Sequence, residues 1–98
     1  IYVANWPAAR ANAWRTLLQA RAIENLAYVI GVNRIGTDGN DIAYCGDSLL
    51  IDFKGGLILD LASHDQISSA ELSIAELAEF RAKFPAHLDA DSFSLSSL

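Results

Sequence analysis

Ninety-eight residues with 12 acidic and 7 basic side chains carry a net charge of −5, which excludes a nucleic-acid surface built on clustered Lys and Arg. One cysteine, Cys45, excludes an internal disulfide, and two distant histidines, His64 and His87, cannot complete a zinc site with it. Hydrophobic residues make up 52% of the chain, yet no apolar run approaches the ~20 residues needed to span a bilayer.

The apolar excess is instead expected to bury strands on both faces against something larger. One domain at most fits this length. The absence of methionine and the start at Ile1 point to a piece of a longer protein. No basic, apolar signal segment opens the chain, and the lone cysteine favours a reducing, cytoplasmic setting.

In chain order, Ile1 to Ala4 reads as a short strand, closed by Asn5-Trp6-Pro7 because proline cannot donate to a ladder. Residues between a strand and a helix often face the ligand crevice in α/β proteins. The plainer alternative is a turn with Trp6 packed as a lid on the core. A helix is predicted from about Arg10–Asn12 to Asn25. At ~100° per residue, Ala11, Trp14, Leu18, Ala22 and Asn25 share one arc, with Leu17, Arg21 and Glu24 along its side. Arg21 and Glu24 thus lie inside or beside the apolar stripe, where an unpaired charge would be costly. Their i, i+3 spacing permits a mutual ion pair, read as structural in preference to a catalytic carboxylate.

Ala27 to Val32 is apolar without alternation, as in a strand covered on both faces. Asn33 to Asp41 reads as a loop, and its Asp38 and Asp41 as a solvated turn lacking the spacing of a calcium loop. Ile42 to Cys45 forms a short irregular strand, and Gly46-Asp47-Ser48 a turn. Ser48 to Asp52 and Leu57 to Leu61 make a hairpin through Phe53-Lys54-Gly55-Gly56. Ile67 to Leu72 is predicted as a weaker edge strand. Ser73 and Glu76 have capping-box spacing, with Leu72 and Leu77 as a staple, so a second helix runs to about Lys83 ahead of Pro85. A serine-rich tail, residues 92–98, closes the chain. The order is that of mixed α/β layers, with a domain over 1–91.

No phosphate loop or catalytic set can be assembled from these residues, and Cys45 reads as filler with no base near it in sequence. The wording of the chain adds more. Tyr2-Val3-Ala4-Asn5-Trp6-Pro7, Arg10, Trp14, Leu17-Leu18 and Ala20-Arg21-Ala22-Ile23-Glu24-Asn25 resemble the carbon–nitrogen hydrolase (nitrilase) superfamily. So do Tyr28-Val29, Gly31, Asn33-Arg34, Gly36, Asp38-Gly39, Tyr44, Gly46-Asp47-Ser48, Asp52 and Gly55. Glu71-Leu72, Arg81, Phe84-Pro85 and Asp89 complete a match over nearly the whole chain, most similar to bacterial omega-amidases.

The resemblance implies the C-terminal portion of a four-layer α-β-β-α sandwich. It implies a Glu–Lys–Cys triad in which a thiolate attacks a small linear amide, such as that of a 2-oxo acid, with loss of ammonia. All three members of the triad map outside this chain. Glu24, Cys45 and Lys54 have the right types in the wrong motifs, and Phe53 replaces a proline common after Asp52. No catalytic residue, cofactor or metal ligand is therefore assigned here. Asn5 and Trp6 match the loop bordering the substrate pocket, and Arg21 and Glu24 match a structural motif. The implied partners are the remainder of the hydrolase domain and a second copy in a homodimer, with neither nucleic acid nor membrane. The alternative is a non-catalytic interaction module of the same fold.

Overall fold

A computed structural model describes residues 1–97. The strands are β1 (Tyr2–Ala4), β2 (Val29–Asn33), β3 (Ile35–Thr37), β4 (Ala43–Cys45), β5 (Leu49–Ile51) and β6 (Leu57–Asp60). The helices are α1 (Ala11–Asn25) and α2 (Ile74–Lys83), with single 3₁₀ turns at Ala8–Arg10 and Ala86–Asp89. Four strands form one sheet in the order β1-β2-β5-β6, and β3 and β4 form a separate ribbon. β1 runs parallel to β2, with Ala4 opposite Asn33, while β5 and β6 continue antiparallel. The mixed α/β class expected from the sequence is the class observed.

Parallel strands need a crossover, and α1 supplies it. Trp14, Leu18 and Ala22, spaced by four, form a buried stripe against Val29, Leu49 and Ile51. Gly31 lies under that stripe, where a Cβ would stand 2.5 Å from Leu18 Cδ1 and 2.9 Å from Trp14 Cζ2. Only glycine lets α1 sit this close to the sheet. Leu26 ends the helix in the left-handed region (φ 48°), its N–H bonded to the Ala22 and Ile23 carbonyls. That conformation costs a leucine roughly 1 kcal/mol or more, and burial of its side chain to 4% exposure offsets the cost.

The stripe is narrower than the periodicity suggested. Arg21 and Glu24 pair with each other, but their side chains are 42% and 52% exposed, so they lie beside the core and not within it. Among the described residues no charged side chain is buried. The opposite flank of α1 meets the hairpin: Gln19 Nε2 donates to the Gly55 carbonyl at 3.1 Å. That hairpin is closed by Asp52, whose Oδ1 accepts from the Lys54 and Gly56 amides at 2.8 and 2.9 Å.

The structure revises two local expectations. Part of the predicted 33–41 loop is strand: Ile35–Thr37 pairs with Ala43–Cys45. The turn between them is held by Asp38, which accepts from the Asn40 and Ile42 amides and the Tyr44 hydroxyl. A glycine-rich composition reads as loop, but here Gly36 takes φ +89° inside the ribbon. Conversely, residues 67–72 form no strand. Ile67 is fully exposed, and the segment pairs with neither sheet. Within this chain β2 is covered on one face. Its other face, with Ile30 and Val32, opens onto a trough of about 750 Å³ partly roofed by residues 61–72.

α2 starts at Ser73, whose Oγ accepts from the Glu76 amide at 3.1 Å. The amide of Ser73 bonds instead to Tyr28 Oη, which also donates to the Ser73 carbonyl. Arg81 Nε then reaches the Leu26 carbonyl at 2.8 Å and ties α2 to the end of α1. Tyr28, Phe53, Phe80 and Phe84 form a chain of ring contacts between the two. Residues 90–97 carry no regular structure, and residue 98 of the expected tail lies outside the described residues.

Candidate functional site

The two parallel strands end together, and the Asn5-Trp6-Pro7 loop crosses their carboxyl ends. Asn5 is exposed; Trp6 is half-buried and packs on Trp14 at 5.7 Å between ring centroids. The indole of Trp6 donates to the Arg10 carbonyl at 2.7 Å, and the Arg10 guanidinium lies 5.0 Å from its ring. The ring therefore does serve as a lid on the core, while the backbone beside it forms the rim of the strand ends.

One side chain builds this rim. Asn33, last in β2, accepts from the Trp6 amide through Oδ1 at 2.8 Å. Its Nδ2 donates to the Trp6 carbonyl at 3.0 Å and to the Gly46 carbonyl at 2.8 Å. The main chain of Asn33 is closed by Ser48, whose Oγ accepts from the Asn33 amide and donates to its carbonyl. Asp47, next to Gly46, accepts the Trp14 indole N–H on its carbonyl at 2.7 Å and faces Arg15 at 3.2 Å. Arg15 also pairs with Asp60 at 2.6 Å, and that guanidinium holds the Asp60 carboxyl below its ordinary range. Loop, turn and helix are thus keyed together around Asn33.

Sequence reasoning placed Asn5 and Trp6 at this edge but passed over Asn33 and Ser48. A usable signal existed: an asparagine ending an apolar strand carries a carboxamide that can stand in for a peptide group.

The residues with triad-like identities are not brought together. Glu24 is engaged by Arg21, Lys54 Nζ lies 5.4 Å from the Phe80 ring, and Cys45 faces Asp47 at 3.7 Å. Burial pushes the Cys45 thiol above its ordinary value, and the Asp47 carboxylate adds to the rise. A nucleophilic cysteine needs the reverse. Among the described residues no group of His, Cys, Asp and Glu is arranged to hold a metal ion, and no helix is long and apolar enough to cross a membrane. The trough on the open sheet face includes Asn33 and Gly46 in its lining but neither Asn5 nor Trp6. Its apolar strand residues suit packing better than chemistry.

A family model described as carbon-nitrogen hydrolase matches residues 2–82. Omega-amidase YafV of Escherichia coli is 54% identical over 96 residues, which is 97% of this chain and 38% of that protein. The 2-oxoglutaramate amidase of Bacillus subtilis is 38% identical over 82 residues, 84% of this chain and 31% of its own length. Among solved structures, a CN-hydrolase superfamily protein from Xanthomonas campestris, with an arsenic adduct in its active site, superposes with a TM-score of 0.91 at 52% identity. That match covers 98% of this chain and 38% of the other. The chain thus spans well under half the length of the curated relatives it matches.

Proposed function

Because the chain belongs to the carbon–nitrogen hydrolase family, we propose that it is the C-terminal part of an omega-amidase-type enzyme. The intact protein would cleave the terminal amide of a small 2-oxo acid, giving the acid and ammonia. The chemistry falls to a Glu–Lys–Cys triad outside these 98 residues, whose cysteine forms a thioester that water then hydrolyses. The present chain contributes scaffold, with Asn5 and Trp6 bordering the substrate and the Arg21–Glu24 pair as structure. Residues 1–91 belong to the hydrolase domain and 92–98 to its tail.

The observation that carries this reading is the 54% identity to an omega-amidase, sustained over nearly the whole chain. The geometry is consistent with it. The Asn5–Trp6 loop lies where parallel strands of α/β proteins present ligands, and the open face of β2, with Val32 exposed, needs a cover that the rest of a sandwich provides. A radius of gyration of 16.3 Å, against about 13 Å for a compact chain of this length, describes a slab rather than a closed unit. Leu88, Phe93 and Leu95, 74%, 84% and 90% exposed, give the tail apolar surface to lay on a second copy in a homodimer. The free Cys45 fits the reducing, cytoplasmic setting we propose for the intact protein.

The test is ammonia release from 2-oxoglutaramate by the intact protein, with and without its upstream cysteine changed to serine. Turnover by the intact protein that the serine variant loses is the expected result. A folded intact protein that releases no ammonia from linear amides would sink the proposal and leave the non-catalytic module as the reading.

A further inference from the structure

We infer that Asn33 is a positioning residue for substrate recognition, acting through the Asn5–Trp6 loop; this rests on the reading of that loop as the substrate border. The β1–β2 ladder has its last rung at Ala4 and Asn33. One residue further the loop turns towards Pro7, and the main chain of β2 no longer faces it. The Asn33 carboxamide takes over. Its Oδ1 and Nδ2 meet the Trp6 N–H and C=O at 2.8 and 3.0 Å, the two-point pairing of one peptide with another. The remaining N–H ties the pair to Gly46, which is buried and held at φ +78°. A Cβ on Gly46 would lie 2.7 Å from the Ala62 carbonyl oxygen, so that carbonyl comes from a backbone with little room to move.

Asn5 consequently lies between two fixed points, the Ala4 rung and the clamped Trp6 peptide. Its exposed side chain is presented at the strand ends by a backbone whose freedom has been removed before any ligand arrives. Ordering a loop on binding costs affinity, and preorganisation recovers it. Removing the clamp should therefore weaken substrate binding without touching the bond-breaking step. Ser48, which closes both main-chain groups of Asn33, supports the same rim from below.

The test uses the intact enzyme with 2-oxoglutaramate, and reads kcat and KM per folded molecule for Asn33→Ala, Asn5→Ala and the double variant. Phe80→Ala, in the distant aromatic cluster, serves as a destabilised control. The expected result is a KM raised about tenfold or more in Asn33→Ala, the equivalent of one or two net hydrogen bonds. Its kcat should stay near that of the parent, and Phe80→Ala should leave KM unchanged. The double variant should bind no worse than Asn5→Ala alone, because Asn33 acts through the side chain that Asn5→Ala removes. An unchanged KM in Asn33→Ala, with KM raised in Asn5→Ala, overturns the inference. An unchanged KM in Asn5→Ala as well overturns the reading of the loop itself. If Asn33→Ala fails to fold, Asn33→Asp takes its place: it keeps the acceptor for the Trp6 amide and loses both donors. A normal KM in that variant refutes the inference in the same way.

Discussion

Replacing Gly31 by alanine tests the closeness of α1 to the sheet. The new methyl would stand 2.5 Å from Leu18 Cδ1 and 2.9 Å from Trp14 Cζ2. Carbon atoms prefer about 3.5–4.0 Å, so each neighbour must give way by roughly 1 Å. Neither is free to do so. Both are 4% exposed, and Trp14 is held by its indole bond to the Asp47 carbonyl at 2.7 Å. Overpacking of this kind costs about 1–3 kcal/mol, while replacing a strand glycine returns about 0.5–1 kcal/mol of backbone entropy. Losing the Trp14–Asp47 bond adds about 1 kcal/mol. The net expectation is a loss of about 2 kcal/mol. It would be read as a lower urea midpoint of the intact protein at unchanged slope, with tryptophan emission shifted to the red. Gly39→Ala is the control, since a Cβ there meets nothing within 4 Å. An unchanged or higher midpoint for Gly31→Ala would refute the packing argument.

Three further outcomes are expected. Arg15→Met should destabilise the intact protein by about 0.5–1 kcal/mol at neutral pH, the scale of a pair about one-third exposed on each side. Because Arg15 lowers the Asp60 carboxyl from 3.8, the stabilisation is full above that value and fades as pH falls through the lowered one. A penalty as large in strong acid as at neutrality would exclude the ion pair as its source. Ser73→Ala should cost about 1 kcal/mol and speed hydrogen exchange at the Glu76 amide; unaltered exchange there would show that the cap is not what holds the first turn of α2. Cys45→Ser should leave ammonia release by the intact protein intact, and the native thiol should alkylate slowly at neutral pH because burial favours its protonated form. Loss of turnover would make Cys45 more than a bystander.

The elements that were legible in the sequence are those whose signals are local. Trp14, Leu18 and Ala22 gave α1 through their spacing, Ser73 marked the start of α2, and the glycine loop after Asp52 marked the hairpin. Of the ribbon, β4 was legible and β3 was hidden, because its stability lies in a side chain, Asp38, bonding across its own turn, where composition alone reads loop. The segment 67–72 misled in the opposite direction, since β-favouring residues make a strand only when another strand pairs with them, and here none does. At the rim, Asn5 and Trp6 could be placed by position between strand and helix. Asn33 showed only a local hint, a carboxamide ending an apolar strand, because its partners Trp6 and Gly46 stand 27 and 13 residues away in sequence.

The bare face of the sheet divides β2 by parity. Val29 and Gly31 look towards α1, so their substitution registers in the cohesion of this layer. Ile30 and Val32 line the trough, so theirs registers in docking with whatever closes it. A scan along these four positions would trace a sawtooth, with unlike consequences from neighbouring codons. Two sets of constraints, one from within the layer and one from beyond it, are interleaved on a single strand.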